Sequence, residues 1–181
     1  MINYKNKRGF TLVEMIVSVG LFTVVMVIAS GAYLSVVNLE RKSRALSDVM
    51  TNLNFVSDSM ARAIRSGSNY SCNGGGDCSG GATFSFTDEA GQTVTYLLKG
   101  ATGPIGQCSS GACNVNNAIT ITDPRITIDR FSFTLRGSSS LDTVQPIVTY
   151  ILSGSIIPDP RSLAVPFTIQ AAATQRLLDL P

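Results

Sequence analysis

Histidine is absent from the 181-residue chain, and Asp, Glu, Lys and Arg together make up only 14% of it. Without histidine no Ser-His-Asp or Cys-His pair can form. No phosphate-cradling P-loop is present, and no Gly-x-Gly-x-x-Gly turn follows a strand. The acids of the second half are few and scattered, and their spacing brings no pair together. No catalytic residue is therefore assigned, no cofactor is expected, and the chain reads as a non-enzyme. A basic stripe of the kind that neutralises phosphates is also missing. The formal charge is +2, but three of the 14 cations lie in the first eight residues, and beyond them 11 cations face 12 acids. No nucleic-acid partner is expected from that balance.

Charge is scarcest between Met15 and Leu39, where 25 consecutive residues carry none. As a helix that stretch rises about 37 Å, enough to cross a bilayer core of about 30 Å. Lys5, Lys7 and Arg8 precede it. Cations before an apolar span favour the cytoplasmic side, so the rest of the chain is expected outside the cytoplasm. A secretory signal peptide has a shorter apolar region and a small-residue cleavage site. This run is too long, and no Ala-x-Ala site ends it. A plain single-pass anchor fits better but leaves Glu14 unexplained.

A carboxylate in an apolar helix costs about 2.5 to 3.5 kcal/mol at the helix centre, less near its end, and usually has a partner. No Lys or Arg follows Glu14 until Arg41. Scission between Gly9 and Phe10 would create an α-amino group one helical turn from Glu14. A helix N-terminus also favours a nearby anion. Glu14 thus makes sense in a chain trimmed after Gly9, paired with its own amine or that of a neighbouring subunit.

Gly9-Phe10-Thr11-Leu12-Val13-Glu14, behind a short basic leader and ahead of an apolar run, resembles the signal of type IV pilins and type II secretion pseudopilins. The resemblance is firm over residues 5–40 and looser beyond. It implies that a membrane-embedded prepilin peptidase cuts after Gly9 and N-methylates Phe10. It implies that Glu14 serves methylation and packing against the next subunit. It also implies a helix held first in the inner membrane and then in a filament core, extracted by an assembly ATPase with its membrane platform. On this reading residues 1–9 are a cleaved leader, 10–39 the membrane and filament-core helix, 40–66 an amphipathic half, and 67–181 a β-rich head. Ser30-Gly31 falls where many pilins carry a helix-breaking proline, and Gly31 could soften the helix there.

In the second half of the helix Leu46, Val49, Leu53, Val56, Met60 and Ala63 recur at spacings of three and four, with Met50 and Ile64 widening the stripe. One buried face is expected, packed on the protein's own sheet rather than in a coiled-coil seam. Gly67 is expected to end the helix. The period then changes to two. Strands are expected at Ala82–Thr87, Thr93–Leu98, Ala118–Thr122, Ile126–Arg136, Ile147–Leu152 and Leu163–Ala172, with a hairpin joining the first two. Pro166 should confine its strand to an edge or a bulge. Pro124, Gly137–Ser140 and Ile157–Arg161 read as turns. The fold class is α+β: a long N-terminal helix packed on an antiparallel β-sheet head, the lollipop of the pilin family.

Cys72, Cys78, Cys108 and Cys113 form two close pairs in Gly/Ser-rich loops. Free thiols and a zinc site are the alternatives, but the spacing is not Cys-x2-Cys and no histidine is available. An exported domain with an even cysteine count favours disulfides. Local closure, Cys72–Cys78 and Cys108–Cys113, gives the shortest loops, whereas crossed pairing would staple the two loops together. Asp77 is a single acid among glycines, too few ligands for calcium. No metal site is expected.

The residues after the membrane run, with a head of about 115 residues, loosely resemble J-type minor pseudopilins and W-type minor pilins, which prime assembly and sit at the filament tip. One kind of tip subunit lacks the glutamate, and Glu14 argues against that kind. The chain is thus read as a processed filament subunit of a pilus or secretion pseudopilus. The rival readings are a membrane-tethered binding protein and a competence-pilus component that captures DNA.

Overall fold

Apolar periodicity divides the first helix into two stretches with different surroundings. The computed structural model describes residues 9–109, 112–139, 144–158 and 163–176. The basic residues of the expected leader fall within 1–8, outside the described residues. By internal contacts the chain forms two units, Met1–Ser43 and Arg44–Pro181. Helix α1 spans Leu12–Ser66.

In the first unit residues 9–36 are all exposed, apolar side chains included. This part of α1 is long and apolar enough to cross a membrane. Three of its hydroxyls bond back to the helix's own carbonyls. Ser18 donates to the Met15 carbonyl at 2.9 Å, Thr23 to Gly20 at 2.8 Å and Ser30 to Met26 at 2.8 Å. A helix that closes its own polar groups in this way suits surroundings without water. The helix continues unbroken through Ser30 and Gly31.

The second unit begins with the amphipathic part of α1. Val49, Leu53, Val56, Met60 and Ile64 are buried, and Leu46 and Ala63 flank them. Met50 remains on the exposed rim. This face packs against two sheets, which among the described residues hold nine strands: β1 (Ser68–Cys72), β2 (Cys78–Gly81), β3 (Thr83–Thr87), β4 (Thr93–Leu98), β5 (Ile105–Cys108), β6 (Ile119–Thr120), β7 (Ile126–Arg136), β8 (Ile147–Ile156) and β9 (Val165–Thr174). They are divided between two antiparallel sheets rather than gathered in one. The first has the order β1-β3-β4-β5-β6, the second β2-β7-β8-β9. Phe84 of β3 and Phe133 of β7 stack with ring centroids 5.1 Å apart, joining the sheets in one core. Tyr150 of β8 donates to the Ser57 carbonyl at 2.7 Å and so ties the second sheet to α1.

β1, β2 and β5 were not expected from the sequence. Their Ser-, Gly- and Cys-rich segments show no apolar alternation. The β3–β4 hairpin turns on Asp88, whose carboxylate accepts the Ala90 and Gln92 amides at 2.9 and 2.8 Å. The expected strand Ala118–Thr122 shrinks to the two residues of β6, because Thr122 instead turns its hydroxyl to the Ile105 amide at 3.2 Å.

β7 has the expected bounds but changes parity midway. Ile126 and Ile128 are buried, then Phe131, Phe133 and Leu135. A register shift against β8 between Ile128 and Arg130 inserts the extra residue. Such a bulge flips which side chains face inward. Gly154 lies opposite Ile128, and β8 runs four residues past its expected end at Leu152. A Cβ at Gly154 would fall 2.1 Å from the Thr127 carbonyl oxygen. Only glycine permits that approach.

α1 ends at Ser66, beside the predicted stop, but not by the predicted means. Gly67 is not among the residues with positive φ, so no left-handed cap forms there. A Cβ at Gly67 would lie 2.3 Å from the Phe86 ring. Glycine is required for ring packing. The final carbonyls are satisfied elsewhere. The Tyr70 hydroxyl donates to Ile64 and Gly67, and the Arg176 amide donates to Arg65 at 2.8 Å. Gly154→Ala is expected to destabilise the second unit by about 3 kcal/mol or more, since a backbone carbonyl cannot swing aside. Urea unfolding of the full chain in detergent, followed by circular dichroism, measures this. An unchanged midpoint would contradict the close approach.

Candidate functional site at the start of the first helix

The helix begins where its sequence supplies a cap. Thr11 directly precedes α1, and its hydroxyl accepts the Glu14 amide at 3.3 Å. Its carbonyl accepts the Met15 amide at 3.2 Å, closing the first helical turn. Thr11-Leu12-Val13-Glu14 has the Thr-x-x-Glu pattern of a capping box. Scission would supply the Glu14 carboxylate with a partner, and the Thr11 hydroxyl separately caps the Glu14 amide. The Thr-to-Glu spacing is the sequence signal of that cap. A carboxylate in the first turn also lies where the helix dipole favours it. Among the described residues the Glu14 carboxylate has no cationic partner.

Gly9 and Phe10 precede the helix in irregular backbone, and both are exposed. Phe10 is 78% exposed, and a Cβ at Gly9 would meet nothing within 4 Å. A peptide bond in that setting is open to a processing enzyme. Gly9, Phe10 and Glu14 thus lie within one short segment, with Thr11 between as its cap.

The four cysteines lie elsewhere, in the second unit, and pair locally. Cys72 bonds Cys78 with Cα atoms 5.9 Å apart, and Cys108 bonds Cys113 at 5.7 Å. The first bridge has a role that spacing did not reveal. Cys72 ends β1 in the first sheet and Cys78 opens β2 in the second. It therefore clasps the two sheets where the chain crosses between them. Asn73, inside the clasp, adopts a φ of 51°, and its side-chain oxygen accepts the Ala82 and Thr83 amides at 2.9 and 3.0 Å.

Asp77 borders an open cleft of about 640 Å³ with Ser79, Arg136 and Gly137. Its carboxylate accepts the Gly137 amide at 3.0 Å and the Ser138 amide at 2.8 Å. Partial burial acts to raise its pKa. The hydrogen bonds from Ser138 and Gly137, with the nearby Arg136 charge, outweigh burial and hold it below the usual 3.8. These bonds make Asp77 a loop anchor. Among the described residues no three potential metal ligands lie together. Tyr70 and Tyr96 are pushed up to about 12, Tyr70 by burial and Tyr96 by burial with the Tyr150 phenol nearby. Both remain neutral at ordinary pH, Tyr70 as a hydrogen-bond donor and Tyr96 as a packing group.

Removing the Cys72–Cys78 bridge by paired serine substitution is expected to cost about 2 kcal/mol from loop entropy alone. Chemical unfolding measures it, and no loss would deny the bridge its clasping role. Because the Asp77 pKa is depressed on folding, its stabilisation is complete above the unfolded value and fades as pH falls through the folded one. Wild type should therefore exceed Asp77→Asn in stability at neutral pH, with the gap closing in acid. A gap that widens in acid would contradict this.

Residues 4–30 match the family model for the prokaryotic N-terminal methylation motif. The match covers the basic leader, the Gly9–Phe10 junction, Glu14 and most of the apolar run. No curated protein and no solved structure matches the chain. The motif supports a type IV pilin or pseudopilin-type subunit, and with the apolar helix it fits a membrane-anchored protein processed by a peptidase and assembled with other such subunits.

Proposed function

We propose that the chain is a minor structural subunit of a type IV pilus or type II secretion pseudopilus, of the J-type or W-type. Prepilin peptidase removes residues 1–9 on the cytoplasmic face of the inner membrane and methylates the new amine of Phe10. Residues 10–39 then anchor the subunit in that membrane, with residues 67–181 as a head on the far side. The platform and its ATPase move the subunit into the filament. There residues 10–39 lie among the equivalent helices of other subunits.

One observation carries this reading. The methylation motif sits directly on a helix whose apolar side chains are all exposed over residues 9–36. Such a surface needs lipid or other apolar helices around it. Glu14 supplies direction. Its carboxylate pairs with a Phe10 amine, intramolecularly before assembly and from the neighbouring subunit afterwards. That pairing offsets the cost of an ionised group in apolar surroundings.

Glu14→Val tests the assignment. Scission after Gly9 should proceed largely as in wild type, because the peptide bond itself is untouched. Recovery of the chain in sheared, purified filaments should fall at least tenfold. Normal incorporation would remove the pairing argument. Glu14→Gln keeps the size and polarity of the side chain and removes only its charge. It should fail as Val does.

A further inference from the structure

β9 forms one edge of the second sheet, and its ten residues pair with β8 without a register break. In an antiparallel ladder alternate residues turn their amide and carbonyl groups toward and away from the neighbouring strand. Two observations fix which residues of β9 face away. Pro166 has no N–H to give β8, and Gln175, just past the strand, donates to the Pro146 carbonyl on the β8 side at 3.1 Å. Odd-numbered residues thus pair with β8, and even-numbered residues face out. Among the described residues the outward amides of Thr168, Gln170, Ala172 and Thr174 meet no other strand.

This edge has few of the usual safeguards. Natural edge strands carry lysine, bulges or covering segments. Residues 165–174 contain no charge, and Pro166 blocks only one end. At the other end the next outward amide, that of Arg176, already donates to the Arg65 carbonyl at the end of α1. Four open residues remain between two blocked ends.

We propose that β9 pairs with β9 of a second copy of this chain, antiparallel, about a two-fold axis at Ala171. That axis sets Thr168 against Thr174 and Gln170 against Ala172 of the second copy. All four are outward residues, so about eight hydrogen bonds form at two per pair. The same axis sets Pro166 against Arg176. The Arg65 carbonyl already fills the space beside the Arg176 amide, so the ladder stops at the Thr168–Thr174 pair at each end. No like charges meet across it. The product is one sheet continuous through both copies, and the pairing does not require the filament role.

The test uses the full chain in detergent micelles. Gln170 of the two copies would lie diagonally, about 7–8 Å apart. A short bis-maleimide should therefore link Gln170→Cys chains into dimers at least tenfold more efficiently than Glu89→Cys chains, whose thiol lies at the exposed β3–β4 turn. Gln170→Pro, combined with an Ala172→Cys reporter, whose two copies also lie on a diagonal about 7–8 Å apart, should abolish linkage that the reporter shows alone. It should leave the circular dichroism unchanged, because an outward amide holds nothing in the monomer. In wild type, hydrogen exchange at Thr168, Gln170, Ala172 and Thr174 should slow as protein concentration rises. Linkage no better than at Glu89→Cys, or exchange of these amides independent of concentration, would overturn the proposal. So would loss of the fold in Gln170→Pro, which would place that amide inward.

Discussion

In the proposed assembly residues 10–39 have no water around them, and that constraint shapes the first part of this protein. In such surroundings a chain must satisfy its own polar groups. α1 does so through its backbone and through the hydroxyls of Ser18, Thr23 and Ser30, each turned back onto a carbonyl three or four residues earlier. One charged group, Glu14, breaks the uniformity. The Thr11 cap gives its backbone a place in the first turn, but the carboxylate still calls for a cation. An apolar helix with one charge near its end can slide in many registers; a cation fixed at the same end selects one. Direction and register in an assembly would follow from that single pair.

The second unit meets the opposite condition. It holds a core of its own. The stripe from Val49 to Ile64 closes one side, and rings from both sheets fill the interior. Where α1 stops, an ordered end is made by side chains and strands from far along the sequence. Tyr70 caps from β1, and Arg176 caps from beyond β9. The same Arg176 bond closes one end of the free edge of β9. Helix capping and the length of the exposed edge are thus one structural fact.

The signal segment, the two-part helix and its stop, and the long strands could be read from the sequence because each rests on local pattern. Apolar spacing of three and four marks a helix face, and alternation marks β3, β4 and β7. Illegible were features set by distant partners. β1, β2 and β5 are strands because of what they pair with, and Cys72–Cys78 is a clasp only because its ends belong to different sheets. The division into two sheets left no mark in periodicity. Gly67 illustrates the difference well. Its position at a helix end was readable, but its cause is the Phe86 ring, which no local rule reveals. Thr11-x-x-Glu14 is equally local, a hydroxyl three residues before the amide that it caps.

The central claim is that the apolar helix starts at a new, methylated amine. Intact-protein and N-terminal peptide mass spectrometry on the native, membrane-extracted protein tests it directly. The account predicts a chain beginning at Phe10 and carrying one N-methyl group, and a full-length chain in cells lacking the peptidase. A mature protein that still carries residues 1–9 in cells with active peptidase would contradict it.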